Sequence, residues 1–228
     1  MRTDEKSSGR GAPASQSIAI IPISLALAVV ALLLFVGLSQ EVLRSGTDRF
    51  DESIRAAVHA HASPALTGFF RALTNLGDWM VLVPACLLVG LFFYLRGLRQ
   101  HLRLLLVTMA GALLLDAVLK VVVRRPRPVP FFIPEPSTYS FPSGHALVSF
   151  CFYGLLAGMT ALQLKAWWQK AVVWTGAGVL IGLIGLSRIY LGVHWPSDVV
   201  AGYAAAIVWL GAIRAVALRE GKEGGTRK

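Results

Sequence analysis

The sequence predicts an all-α, polytopic membrane protein built as a bundle of six transmembrane helices. Three observations predict it. Of the 228 residues 55% are hydrophobic and only 15% charged, with a mean hydropathy of +0.63, whereas a soluble domain carries about a quarter of its residues as charges. The apolar residues form long blocks, as spans require. Basic residues punctuate those blocks instead of forming a stripe with interleaved aromatics. The formal net charge of +10 therefore reads as orientation charges at membrane boundaries plus a few functional cations, and nucleic acid is not expected as a partner.

The elements follow in order. Residues 1–17 (MRTDEKSSGRGAPASQS) are small, polar and Gly/Ser-rich, too poor in apolar surface to fold, and are expected to be a disordered cytoplasmic tail. The first span runs over about 18–38, long enough to cross the hydrocarbon core. A cleavable signal peptide fits less well, since its apolar region would be shorter and no A-x-A-like site follows. Residues 39–78 are polar to amphipathic, with Phe50, Ile54, Val58 and His61 at helical spacing and Asp51, Glu52, Arg55 and His59 between them. Two readings stand: a helix lying along the membrane surface, or a packed loop helix. Further spans are expected at about 79–95, 102–123, 145–164, 171–190 and 197–217. Residues 18–217 thus form a single six-span domain, and 218–228 a basic cytoplasmic tail. Cys86 and Cys151 both fall inside apolar blocks, as small buried hydrophobes.

The basic residues orient the bundle. Of the 22 Lys and Arg, nine (Arg44, Arg49, Arg55, Arg71, Lys120, Arg124, Arg125, Arg127 and Arg188) fall opposite the termini, leaving thirteen on the side of the termini. The bias places both termini in the cytoplasm. Lys120, Arg124, Arg125 and Arg127 nevertheless cluster on the outer side, and insertion alone does not explain that cluster.

Three segments fall on that outer face: Lys120-Val-Val-Val-Arg-Arg-Pro-Arg127-Pro128, Pro142-Ser143-Gly144-His145, and Ser187-Arg188 through His194 to Asp198. Lys120, Arg127 and Arg188 would repel one another unless a polyanion joined them, and Arg grips phosphate oxygens as a fork while Lys acts as a point charge. Ser143 and Gly144 start the fourth span, where free N–H groups and the helix dipole attract an anion. Gly144, lacking a side chain, lets the backbone approach a phosphate. Asp198 lies one helical turn after His194, so its carboxylate can accept from one imidazole nitrogen and leave the other free to attack phosphorus. His145 then takes the complementary role, protonating the leaving oxygen and later activating water. Taken singly, each feature has a plainer reading. Cations snorkel at span ends, and Pro-Ser-Gly opens many helices. A His near an Asp can ligate metal, yet only two histidines converge here without a further carboxylate or thiol to complete a site.

The pattern K-x6-RP, PSGH and SR-x5-H-x3-D, complete and in order, resembles that of the type 2 phosphatidic acid phosphatase (PAP2) superfamily over roughly residues 50–217. The resemblance implies a six-helix membrane fold and metal-independent hydrolysis of phosphoesters or diphosphates, with no cofactor. It implies transient phosphorylation of His194, oriented by Asp198, with His145 as acid/base and Lys120, Arg127, Ser143, Gly144 and Arg188 binding phosphate. Hydrophobic members act on lipid phosphates such as phosphatidic acid, phosphatidylglycerophosphate and undecaprenyl diphosphate. Soluble relatives include acid phosphatases and vanadium haloperoxidases, which six spans disfavour here. The expected partners are a lipid phosphate substrate and membrane lipids.

Two features lie outside the signature. Asp116 sits one turn before Lys120 inside the third span, where an unpaired carboxylate is costly. Either it positions Lys120 at i,i+4 spacing or it pairs on another helix. Val129-Pro130-Phe131-Phe132-Ile133-Pro134 either lines the access for acyl or isoprenoid chains or packs over the helices. A different class, a non-catalytic lipid-phosphate binding protein or anion transporter, would not require His145 and His194 together. The compact chain suggests a bacterial inner-membrane protein whose site faces the periplasm or exterior.

Overall fold

A computed structural model describes residues 14–225, with side chains from 25 to 217. Eight helices follow in order: α1 (Ala14–Leu43), α2 (Asp48–His59), α3 (Pro64–Thr74), α4 (Trp79–Leu95), α5 (Arg99–Val123), α6 (Gly144–Gln163), α7 (Trp167–Tyr190) and α8 (Pro196–Gly225), with a 3-10 turn at Asn75–Gly77 between α3 and α4. Ala14–Ser17, expected in the disordered tail, instead begin α1, because extending a nucleated helix costs little. The rest of that tail, 1–13, lies outside the described residues. At the other end α8 runs on through residues expected to be tail, and 226–228 lie outside the described residues.

Five helices are long and apolar enough to cross a membrane unaided. The sixth crossing differs from the expected span at 79–95. α4 has only 17 residues, about 26 Å at 1.5 Å per residue, and reaches span length together with α3 across a 44° break. Local chemistry sets that break. Ser63 caps α3 by accepting from Leu66 N–H at 3.3 Å, and Pro64 takes the first helical position. Asp78 caps α4 by accepting from Met80 N–H at 2.9 Å.

The centre of the bundle is α6: half of its apolar window is buried, against 11% for α1. It packs against α5, α7 and α8, and α1 lies along α8. Leu147, Val148, Cys151 and Phe152 of α6 meet Leu105, Met109 and Ala112 of α5 and Ala205 and Ala206 of α8. Small residues on α8 let the helices approach closely, and close packing drives association where lipid removes the hydrophobic contrast. Trp209 Nε1 ties α8 to α5 by donating to the Thr108 carbonyl at 3.0 Å. Leu88, Leu114 and Val122 point outward and are exposed, as lipid contact requires.

The amphipathic stretch does form a helix, α2, whose inward face carries Asp51 and Arg55 beside the half-buried Ile54 and Val58. Phe50 is 52% exposed while Asp51 is fully buried. The reason is electrostatic rather than hydrophobic, since Asp51 meets an arginine and the start of α8.

Candidate functional site

The turn between α7 and α8 builds the centre of the site. Pro196 opens α8, and Asp198 in its first turn accepts from Trp195 N–H at 3.0 Å through Oδ2. That bond turns Asp198 back toward His194, whose Nδ1 is 3.4 Å from the same oxygen. Ser140 Oγ lies 3.4 Å from His194 Nδ1 and donates to Asp198 Oδ2 in a short contact. On the other side of the ring, Arg127 Nη1 lies 3.1 Å from His194 Nε2. A guanidinium can only donate, so Nε2 is the acceptor nitrogen and the ring proton sits on Nδ1, facing Ser140 and Asp198. His194 is 2% exposed, and burial holds its pKa down, from 6.5 to about 3. The ring is a neutral imidazole with a lone pair on Nε2.

Three cations converge on the same cavity of about 640 Å³, which Lys120, Arg127, Gly144, His145, Arg188 and His194 all line. Lys120 makes a short ion pair with Asp116 and donates to the Pro142 carbonyl at 3.1 Å. The i,i+4 pairing expected of Asp116 is therefore the one formed. Arg127 donates to the carbonyls of Thr138 at 2.6 Å and Val193 at 2.7 Å, which aims its guanidinium along the loop toward His194. Burial pulls the Arg127 pKa below its ordinary value, with Asp198 the largest opposing influence. Arg188 donates from Nη1 to Thr74 Oγ1 at 2.7 Å. Gly144 has a second use beside close approach to an anion: a Cβ there would sit 3.0 Å from Asp116 Oδ1.

Ser143 and Asp198 do not line the cavity. Ser143 is buried behind Gly144, and its N–H donates to the Asp198 carbonyl at 3.0 Å. Ser143 Oγ, His145 Nε2 and Arg188 Nε are buried and have no hydrogen-bond partner among the described residues. Unmatched polar groups of this kind are costly in a packed protein and are what a site for a polar ligand contains.

Sequence reasoning missed Arg125 and Asp51. Arg124, the residue after α5, adopts the left-handed conformation (φ 52°) with its N–H on the Lys120 carbonyl at 2.9 Å. The reversal sends Arg125 inward. Its Nη1 donates to Asp198 Oδ1 and Ser197 Oγ, and its Nη2 to Asp51 Oδ2, each at 2.7 Å. Asp51 in turn accepts from Ser197 N–H at 2.8 Å, so α2 caps α8 from outside. The outer cluster of four cations is thereby explained: Lys120 and Arg127 line the cavity, Arg125 neutralises two buried carboxylates, and Arg124 is exposed. The signal available in sequence was a charged pair, Asp51 and Arg55, at i,i+4 on a single helix face.

The loop at 129–134 packs rather than lining chain access. Phe131 stacks on His59 with centroids 3.9 Å apart and lies under the Arg55 guanidinium, and Phe132 stacks on Tyr190. The apolar part of the cavity is lined instead from α4 and α5, including Leu82, Val83, Leu87, Met109 and Leu113. Cys86 lines it too and is partly exposed, unlike the buried Cys151.

A helical membrane bundle with a histidine–aspartate pair and converging cations at one end of an amphipathic cavity defines a class, that of membrane lipid phosphatases, and the comparisons agree. Residues 101–222 match the PAP2 superfamily. The chain is 33% identical over 179 residues to phosphatidylglycerophosphatase B of Bacillus subtilis, covering 77% of this chain and 87% of that one. It is 29% identical over 183 residues to undecaprenyl-diphosphatase of Sulfolobus acidocaldarius, covering 76% and 83%. The crystal structure of the transmembrane PAP2-type phosphatidylglycerolphosphate phosphatase from Bacillus subtilis superposes with a TM-score of 0.77 at 29% identity, over 84% of this chain and 96% of that one. This chain belongs to the PAP2 superfamily.

Proposed function

We propose that this protein hydrolyses lipid phosphates through a phosphohistidine on His194. The observation that supports it most is the polarity of the His194 ring: Nδ1 faces Asp198 and Ser140, while Nε2 carries the lone pair beside Arg127 and a cation-lined cavity. A phosphate bound among Lys120, Arg127 and Arg188 takes the Arg127 donor for its own oxygens and releases the Nε2 lone pair. Nε2 attacks phosphorus, the bond to the leaving oxygen breaks, and His145 gives that oxygen a proton. Water then attacks the phosphohistidine, His145 takes a proton from it, and the P–N bond breaks to free phosphate. Asp198 holds the tautomer throughout and stabilises positive charge on the ring. Ser143 and Gly144 add the N-terminus of α6 to the anion site.

Charge on the phosphate is met by protein cations, so the reaction is metal-independent. The lipid chain lies along the apolar wall from α4 and α5, with the phosphate at the polar end. Phosphatidylglycerophosphate and undecaprenyl diphosphate are the leading substrate candidates through the relatives, with phosphatidic acid beside them. The distribution of Lys and Arg supports cytoplasmic termini and a site facing the periplasm or exterior of a bacterial inner membrane.

Phosphate release from these three lipids in detergent tests the reading. Activity unaffected by a chelator and abolished in His194→Ala is the expected result. A fully active His194→Ala enzyme overturns it. Labelling of a single cysteine placed at Ser137 by a membrane-impermeant reagent in intact cells tests the orientation, with labelling from outside expected.

A further inference from the structure

The bent junction between α3 and α4 carries a carboxylate that the three signature segments do not include. Asp78 uses Oδ1 to cap α4 at Met80. Its other oxygen, Oδ2, lies 3.8 Å from His145 Nε2, and both residues line the cavity. That nitrogen is buried and without a hydrogen-bond partner among the described residues. A separation of 3.8 Å is about 1 Å beyond a hydrogen bond, and such contacts often tighten only when substrate is bound.

The junction is built against His145 in other ways. A Cβ at Gly77 would lie 3.1 Å from His145 Cδ2 and 2.6 Å from Ile184 Cγ2, so only glycine lets the backbone come this close. Two turns along α6 from His145, Tyr153 Oη donates to the Leu76 carbonyl at 2.8 Å. Arg188 bonds Thr74 on the same junction. The break in the span thus holds Asp78 in fixed relation to the helix that carries His145.

We propose that Asp78 is the positioning residue for His145, accepting its Nε2 proton as Asp198 accepts that of His194. This rests on the reading of His145 as the acid/base. With Nε2–H held by Asp78, Nδ1 carries the proton that is transferred. The leaving oxygen takes the P–O electron pair and that proton, and Nδ1 later accepts a proton from the attacking water. A protonated imidazole adds a fourth positive charge to a cavity already holding Lys120, Arg127 and Arg188. The Asp78 carboxylate offsets it at the moment the acid is needed.

The test separates this role from the helix cap. Asp78→Asn and Asp78→Ser both keep a capping oxygen and remove the charge. Turnover is compared on dioctanoyl phosphatidic acid, whose leaving alkoxide needs a proton, and on p-nitrophenyl phosphate, whose phenolate does not. Both variants are expected to lose about 10- to 100-fold in kcat on the alkyl ester with KM little changed, and distinctly less on the aryl ester, which needs His145 only for the water step. Asp78→Glu recovers part of the loss. Equal losses on the two substrates, or none, overturn the proposal. His145→Ala run alongside distinguishes the failures: a leaving-group-dependent loss there with none in the Asp78 variants refutes Asp78 alone. Absence of that dependence in His145→Ala refutes the acid/base reading beneath it.

Discussion

Arg125 and Asp198 form a buried ion pair at 2.7 Å, and the same guanidinium reaches Asp51 on α2 at 2.7 Å. Asp198 Oδ2 is left for Ser140, Trp195 N–H and His194 Nδ1. Both oxygens of the carboxylate beside His194 are thus engaged, and its position is fixed from the loop after α5 and the turn before α8. Removing one member of a buried ionic set leaves the others uncompensated, at a cost of about 3–5 kcal/mol. Arg125→Met is therefore expected to lower the melting temperature in detergent sharply and to remove nearly all activity. Asp51→Asn keeps an acceptor for the Ser197 N–H and leaves Asp198 its own contacts, so about tenfold lower kcat with a smaller drop in melting temperature is expected. An Arg125→Met enzyme with full activity would show that Asp198 holds its place unaided.

The Asp116–Lys120 pair makes a different prediction, because it acts on binding. Lys120 is held by Asp116 and by the Pro142 carbonyl. Asp116→Ala frees the ammonium to leave the cavity, and KM is expected to rise about tenfold, a little over 1 kcal/mol, with kcat less affected. Gly144→Ala should give the same phenotype, since its methyl group would press on Asp116 Oδ1 from 3.0 Å. Steady-state kinetics on a detergent-solubilised lipid phosphate measure both. Unchanged KM in both variants refutes a positioning role for Asp116.

Burial of His194 has a consequence for stability. Its folded-state pKa, about 3, lies below the ordinary 6.5. The unfolded chain therefore takes up a proton at this residue as pH falls below about 6.5, while the folded protein does not until about pH 3. Stability from this group is fully present above that window and is lost as pH falls through it, by up to about 1.4 kcal/mol per pH unit. The melting temperature of the wild type is expected to drop between pH 7 and pH 4 more steeply than that of His194→Asn. Parallel curves would show that the ring takes up its proton as readily in the fold as in the unfolded chain. Phosphoryl transfer to a neutral Nε2 likewise needs no deprotonation of His194 across this range.

The helices and the motif residues were legible because both are written locally. Long apolar blocks mark spans, and Lys120, Arg127, His145, Arg188, His194 and Asp198 stand at fixed offsets from helix ends. What was not legible depends on partners far along the chain. Asp51 is buried because Arg125 and Ser197 meet it across separations of 74 and 146 residues, and no helical period encodes that. The break at Gly77–Asp78 was hidden because α4 is apolar throughout and reads as a simple span; only the capping Asp78 betrayed a helix start. Asp116 was the intermediate case, since i,i+4 spacing suggested its partner and the fold supplied it.

The position of the lipid chain is open to direct test, because two surfaces compete for it. Phe131 and Phe132 looked like a lipid-facing loop, but their rings are engaged by His59, Arg55 and Tyr190 and neither lines the cavity. Leu113 and Val83 do line it, from α5 and α4. Filling that wall with Leu113→Trp takes space from an acyl or isoprenoid chain without touching the cations at the polar end. It is expected to raise KM for a long-chain lipid phosphate about tenfold or more while leaving p-nitrophenyl phosphate hydrolysis within about twofold. Replacing Phe131 and Phe132 together with Ser removes aromatic contacts worth about 0.5–1.5 kcal/mol each and loosens the loop that carries Arg127 and Thr138. It should lower stability and depress activity on long and short substrates alike. If instead the double Ser variant selectively loses the long-chain substrate and Leu113→Trp does not, the chain runs over the loop and the α4–α5 wall is merely packing.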